Sequence, residues 1–420
     1  MTKNASMPIE VITLDNGLRI VMENIPFVRS VSFGIWVKNG SCDEDSKTNG
    51  ISHFIEHMLF KGTPKRSAKD IAEAMDAIGG QVNAYTSKEY TCYYTRTLDT
   101  NFDVALDVLS DMFFNARFDQ SDIEKERNVI IEEISMYEDT PEDIVHDLLQ
   151  ASVFKDSSLG LSILGTEETI QNFDNKSFKE YMDQHYTPSK TIIAVAGNLS
   201  NCDAITKIKK IFENFDGPKD ITKPPKQLYT PSFVRKEKDI EQVHLVIGFP
   251  GIPLGTDDTY TMAAINTILG GGMSSRLFQA IREEHGMAYS IYSYHSGFTN
   301  AGLFGIYSAL APAQTADVME LIINEVIRLF TEKISQSDLN KTKEQIKSNY
   351  ILSLESVASR MNSIGRNLMT LDRVITADEL IQKIDAINLD AFYELCDRVF
   401  VIERMSLSLV GNVDLDQFKG

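Results

Sequence analysis

Two of the chain's seven histidines stand four residues apart in Gly50-Ile-Ser-His-Phe-Ile-Glu-His-Met-Leu-Phe60. On a helix that spacing sets His53 and His57 side by side, one turn apart, where two imidazole nitrogens can bind one zinc ion. Ile51, Phe54, Ile55, Met58 and Leu59 fall at i, i+3, i+4, i+7 and i+8 and predict a buried stripe. His53, Glu56 and His57 then share the opposite face, and Glu56 is placed to take a proton from an attacking water. Catalytic zinc usually has three protein ligands and an open position, so a third ligand must come from elsewhere. Asp122 to Ile134 predicts a second helix with Ile123, Ile130, Ile134 and Tyr137 as its buried stripe. Glu126 and Glu133 lie on the shoulder of that stripe, and Glu132 points away. Two glutamates on a helix are commonly a solvated face, but a half-buried carboxylate needs a partner, and a metal supplies one. Glu133 is the expected third ligand, with Glu126 one layer out to orient ligand or water.

The elements that must carry these residues occur twice. Val31-Ser-Phe-Gly-Ile-Trp-Val37 is an alternating strand followed by a polar loop and a helix, and Val243-His-Leu-Val-Ile-Gly-Phe249 repeats the plan, with a helix from about Thr259. Ile192 to Asn198 is a strand running into Gly-Asn, and Leu407 to Asn412 ends the same way. A domain-sized period implies duplication. Asp15-Asn16-Gly17 between alternating apolar runs predicts a hairpin, Val82–Thr86 and Thr91–Thr95 predict a strand pair, and helices follow from about Asp122 and Glu142. Strand pairs interrupted by blocks of helix favour an α+β fold of two homologous mixed-sheet half-units. Residues 1–215 form the half with the zinc motif, 216–238 a proline-rich linker, and 239–420 the second half.

With 420 residues, 43% hydrophobic and 24% charged, the chain has ample material for a large core, and collagenous or disordered readings fail. No run of 18 apolar residues occurs, and residues 1–11 carry neither a signal-peptide core nor an Arg-rich amphipathic pattern, so a cytoplasmic or already processed protein is expected. The formal net charge of −19 argues against nucleic acid and anionic membranes as partners. It is compatible with cationic peptides, although solubility accounts for most of such charge. Cys42, Cys92, Cys202 and Cys396 show no C-x-x-C spacing and read as reduced thiols without a role. His146, His185, His244, His285 and His295 lack ligand spacing, and Trp36 reads as a core residue.

His53-Phe-Ile-Glu-His57 is the inverted zinc motif H-x-x-E-H, and with it the sequence resembles the pitrilysin family of zinc peptidases, in the mitochondrial processing peptidase branch and its bacterial relatives. The resemblance covers almost the whole chain. Glu133, 76 positions after His57 within Val-Ile-Ile-Glu-Glu-Ile, stands where that family has its distal glutamate ligand, and Glu126 fits its additional active-site glutamate. Gln81-Val-Asn-Ala-Tyr-Thr86 is similar to the family's edge strand, which implies Asn83 and Ala84 as substrate-binding residues that pair with an extended peptide. Gly270-Gly-Gly-Met-Ser-Ser resembles the family's glycine-rich stretch, and Arg282 with Tyr289 resembles its Arg/Tyr pair, whose donors could steady charge on the scissile carbonyl. The resemblance implies a zinc-dependent endopeptidase with one zinc per chain. Long members of the family join four half-units in one chain, so two half-units imply a homodimer around a closed chamber, with Arg282 and Tyr289 facing the partner's zinc. The competing expectation is a peptide-binding scaffold subunit that has lost the metal, which the presence of His53, Glu56, His57 and Glu133 disfavours.

Overall fold

The computed structural model describes residues 9–200, 202–218 and 227–413. The chain divides into a first compact unit of Met1–Ile134, Leu161–Lys223 and Leu352–Ile375, and a second of Ser135–Gly160, Pro224–Ile351 and Thr376–Gly420. Each holds a mixed sheet with helices, the α+β architecture that the strand pairs and helical blocks predict.

The first sheet contains β1 (Ile9–Thr13), β2 (Arg19–Asn24), β3 (Ser30–Val37), β4 (Gln81–Thr86), β5 (Thr91–Leu98) and β6 (Thr191–Gly197), ordered β1-β2-β6-β3-β5-β4. The second contains β7 (Phe233–Lys236), β8 (Val243–Pro250), β9 (Ala288–Gly297), β10 (Gly302–Leu310) and β11 (Ser406–Val410), ordered β7-β11-β8-β10-β9. Leaving β1 aside, the sheets correspond strand for strand in order. In both, the first pair is parallel and the other three are antiparallel. The repeated Gly-Asn has a physical cause. Gly197 (φ +137°) and Gly411 (φ +130°) end β6 and β11 in a conformation that side chains disfavour, and an added Cβ would stand 2.3 Å from the Ser30 carbonyl oxygen or 2.8 Å from that of Gln242. Asp15, Asn16 and Gly17 form the tip joining β1 to β2, with Thr13 opposite Arg19.

The compact units do not follow the chain continuously, as the division at 215 and 239 supposed. The helix Pro141–Val153 belongs to the second unit, where the Leu149 side chain fills the space that a Cβ on Gly248 of β8 would need (2.8 Å). The helix Val357–Leu371 belongs to the first unit. It covers the sheet face that carries Trp36, Cys92, Ile192, Ala194 and Ala196, using Val357, Met361, Ile364, Leu368 and Met369. The opposite face, with Val31, Phe33, Ile35 and Val37, packs on Phe54, Ile55 and Met58 of the helix Ile51–Leu59. β3 is thus buried on both sides, with every residue from Val31 to Val37 out of solvent. Part of the expected linker, Lys223-Pro-Pro-Lys226, lies outside the described residues, as do residues 1–8 of the N-terminal stretch. The last part of that linker is β7, a four-residue strand beside β11, too short to show against its polar flanks.

Trp36, the chain's one tryptophan, is fully buried between Gly34 and Gly365, and a Cβ on Gly365 would stand 2.6 Å from its Nε1. Overpacking there forces the helix Val357–Leu371 off the sheet. Gly365→Val should therefore lower unfolding stability by about 1–3 kcal/mol, measured by denaturant titration with Trp36 fluorescence as the probe.

Candidate metal centre

The helix Ile51–Leu59 is fixed on three sides. Its predicted stripe, Ile51, Phe54, Ile55, Met58 and Leu59, is at most 1% exposed. Its N-terminus starts at Gly50, in the left-handed region at φ +92° against the backbone of Gly165, so no side chain is available there as a cap. The carboxylate of Glu44 supplies the cap from six residues upstream, accepting from the Gly50 N–H (2.8 Å), the Ser52 N–H (2.9 Å) and Asn49 Nδ2 (3.0 Å). A carboxylate there also meets the positive end of the helix dipole. Ser52, Asn39 and Tyr181 close a buried triangle of hydrogen bonds of 3.0–3.1 Å beside it.

On the opposite face the two histidines meet. Nε2 of His53 lies 3.2 Å from Nε2 of His57, and Oε2 of Glu133 lies 3.8 Å and 3.6 Å from these two nitrogens. Bonds of about 2.0–2.1 Å meeting at a tetrahedral angle would space ligand atoms roughly 3.3–3.4 Å apart, so this donor set fits zinc. Among the described residues, His53, His57 and Glu133 are the group of His, Cys, Asp or Glu close enough to share a metal, with ligand atoms within 4.8 Å of one another. On the distal helix, Gln120–Glu138, Ile123 and Ile130 are fully buried, Ile134 and Tyr137 are half-buried, and Glu132 is exposed.

Glu126, 6% exposed, stands behind this face. Its Oε1 lies 2.8 Å from Nδ1 of His57, and its Oε2 lies 2.5 Å from Nζ of Lys61. Burial alone would raise the Glu126 pKa, but the hydrogen bonds from His57 and Lys61, with the charge of Lys61, hold it below the usual carboxylate range. An ionised carboxylate only accepts, so Nδ1 of His57 carries the proton and Nε2 offers its lone pair toward the metal position. His53 is held neutral down to a pKa of about 3, chiefly by burial and then by the neighbouring His57. The His53 imidazole is therefore ready to ligate at neutral pH. Glu56 is half-buried beside them, and its Oε2 accepts from the Thr86 hydroxyl at 2.5 Å. Burial pushes its pKa up, against the Thr86 hydrogen bond and the charge of His57, which is the direction a general base near neutrality requires.

Asn83 and Ala84 lie in β4, the outermost strand of the first sheet, beside this helix. Arg282 and Tyr289 are in the second unit. Arg282 belongs to a π-helical segment, Phe278–Glu284, and its guanidinium stands 4.8 Å from the ring centre of Phe278 and 5.5 Å from that of Tyr289, whose side chain is 77% exposed. Glu44, Lys61 and Thr86 escaped the sequence reasoning. Glu44 had a usable signal in the acidic run Asp43-Glu-Asp45 ahead of a helix start without a cap, whereas the Lys61 and Thr86 contacts arise only in the fold.

Comparison with known proteins places this geometry. The profile described as Insulinase (Peptidase family M16) matches residues 19–167, and that described as Peptidase M16 inactive domain matches residues 172–346. Over 398 residues the chain is 45% identical to the uncharacterized zinc protease YmxG of Bacillus subtilis, covering 95% of this chain and 97% of that protein. The chain belongs to peptidase family M16. A second M16 relative, an uncharacterized zinc protease of Streptomyces coelicolor, is 38% identical over 410 residues, or 95% of this chain and 88% of that one. The crystal structure of a protease from Helicobacter pylori matches with a TM-score of 0.88 at 22% identity, over 96% of this chain and 99% of that one. A Pseudomonas fluorescens structure titled as a peptidase M16 inactive domain reaches 0.91 at 16% identity, over 97% and 98%. At those identities the likeness concerns the fold. No helix among the described residues is long and apolar enough to cross a membrane.

Because Glu126 fixes the His57 tautomer, Glu126→Gln should weaken zinc binding about 10–100-fold, measured by chelator competition, while Glu132→Gln on the exposed side of the same helix leaves it unchanged.

Proposed function

We propose that the chain is a zinc-dependent endopeptidase that hydrolyses peptide bonds of unfolded or extended peptides, with one zinc per chain. The observation that carries this reading is the convergence of three ligand atoms within 4.8 Å, with a separate carboxylate, Glu56, on the same helix as the two histidines. His53, His57 and Glu133 would hold the metal, which when bound lowers the pKa of water toward 7 and polarises a carbonyl. Glu126 and Lys61 keep His57 in the ligating tautomer. Glu56 accepts the proton of the attacking water and returns it to the departing amine. The backbone of β4 around Asn83 and Ala84 takes an extended substrate by strand addition, which reads main chain and tolerates varied side chains. A processing role on presequence-like peptides fits the same chemistry.

Glu56→Gln keeps the shape of the side chain and removes the base. It should retain zinc at wild-type stoichiometry and lose peptide cleavage by at least about 10²–10⁴-fold, followed with a quenched peptide library. Wild-type turnover in that variant would overturn the assignment.

We further propose that the working enzyme is a homodimer in which Arg282 and Tyr289 of one chain donate to the carbonyl at the partner's zinc. The support is that the pair sits in the second unit, where the described residues hold no metal-capable group, with the Tyr289 ring open to solvent. Mixing a His53→Ala chain with an Arg282→Ala/Tyr289→Phe chain, each inactive alone, should restore part of the activity. No recovery in confirmed mixed dimers would exclude a shared site.

A further inference from the structure

The free edge of β4 has a definite end. Ser87 donates its backbone N–H to the Tyr90 carbonyl (2.8 Å), so Ser87 faces β5. In an antiparallel pair the direction alternates, and Thr86, Ala84 and Val82 therefore turn their backbone groups to the open side. One of these N–H groups already has an acceptor. The Ala84 N–H donates to Oδ1 of its neighbour Asn83 (2.8 Å), an exposed side chain that an incoming carbonyl can displace. Thr86 is held through its side chain: its hydroxyl donates to Oε2 of Glu56 at 2.5 Å. Glu56 comes from a helix pinned by its buried stripe and by Glu44, whereas Thr86 comes from a strand with one neighbour. The contact between them ties the two elements by a directional bond.

We propose that Thr86 is a positioning residue: it fastens Glu56 to the open edge of β4, so that an added peptide strand and the group that moves the proton share one frame. A peptide laid along that edge is then led toward the point where Glu56 stands against Thr86, and the bond to be cleaved is the one that reaches it. Thr86 itself contacts neither the metal ligands nor the substrate's reacting atoms. The proposal rests on the zinc endopeptidase reading.

The test compares Thr86→Val and Thr86→Ser in the full-length, zinc-loaded protein. Val keeps the β-branched shape and removes the hydroxyl. Ser keeps the hydroxyl. With a quenched peptide substrate, Thr86→Val should lower kcat about 10–100-fold, the loss of one hydrogen bond to a charged group. KM should stay within about 2-fold, zinc affinity by chelator competition should stay at the wild-type value, and Thr86→Ser should keep kcat within about 3-fold. A Thr86→Val enzyme with unchanged kcat, a loss that appears in KM alone, or a Ser variant as impaired as the Val variant would overturn the proposal. A second measurement does not depend on catalysis. Thr86→Val should lower Tm in the wild-type background and have a clearly smaller effect in a Glu56→Ala background, because the tie is already gone. Equal Tm shifts in the two backgrounds would overturn the tie. If wild type and Glu56→Gln both fail to cleave peptides while the Tm shifts remain non-additive, it is the endopeptidase reading that fails and the Glu56–Thr86 tie that stands.

Discussion

Everything at the metal centre depends on the helix Ile51–Leu59 being unable to turn or slide. A rotation of a few tens of degrees would carry His53 and His57 away from Glu133, which arrives from a separate helix. The buried stripe resists rotation, since each of its five side chains fills a full position in the core. It resists sliding less well, because an apolar face is indifferent to small shifts along the axis. The polar end supplies that restraint. Glu44 grips the first amides, and the triangle of Ser52, Asn39 and Tyr181 sets the axial position. Directional bonds in a low-dielectric setting are costly to stretch.

The charges around the site follow from the same arrangement. Glu56, Glu126 and Glu133 bring up to three negative charges, and Lys61 brings one positive charge, which leaves two uncompensated. A divalent cation would cancel them. Burial displaces the Glu56 pKa upward, and a cation held beside it would draw it back. Lys61 is paired with Glu126 rather than with a ligand, so it neutralises the outer carboxylate without competing for the metal position.

How much of this could be read from residue order depends on whether the signal is local. The face of the metal-site helix follows from five apolar residues at helical spacing, and the sheet repeat shows through strands that end in Gly-Asn because their backbones need positive φ. Glu133 and Glu126 were legible because both lie on one helix and one shoulder of it. The exchange of Pro141–Val153 and Val357–Leu371 between units left no such mark, since an amphipathic helix looks the same whichever sheet it covers. The nearest trace is the glycine opposite each one, Gly248 for the first and Gly34 for the second, sitting where a strand would otherwise carry a larger residue. Thr86 had no signal, because its partner lies 30 residues away and the contact exists only once helix and strand are packed.

The placement of the helix Val357–Leu371 in the first unit has a consequence for how the protein is made. The six strands of the first sheet have all been synthesised by Gly197, yet the helix that roofs Trp36 begins 160 residues further on. At ribosomal rates of about 5–20 residues per second the nascent sheet waits roughly 8–30 s with one apolar face open. The metal-carrying half is therefore complete only when nearly the whole chain has emerged. A protein cut between its halves would yield no self-sufficient fragment, because each compact unit takes helix from the other half of the chain.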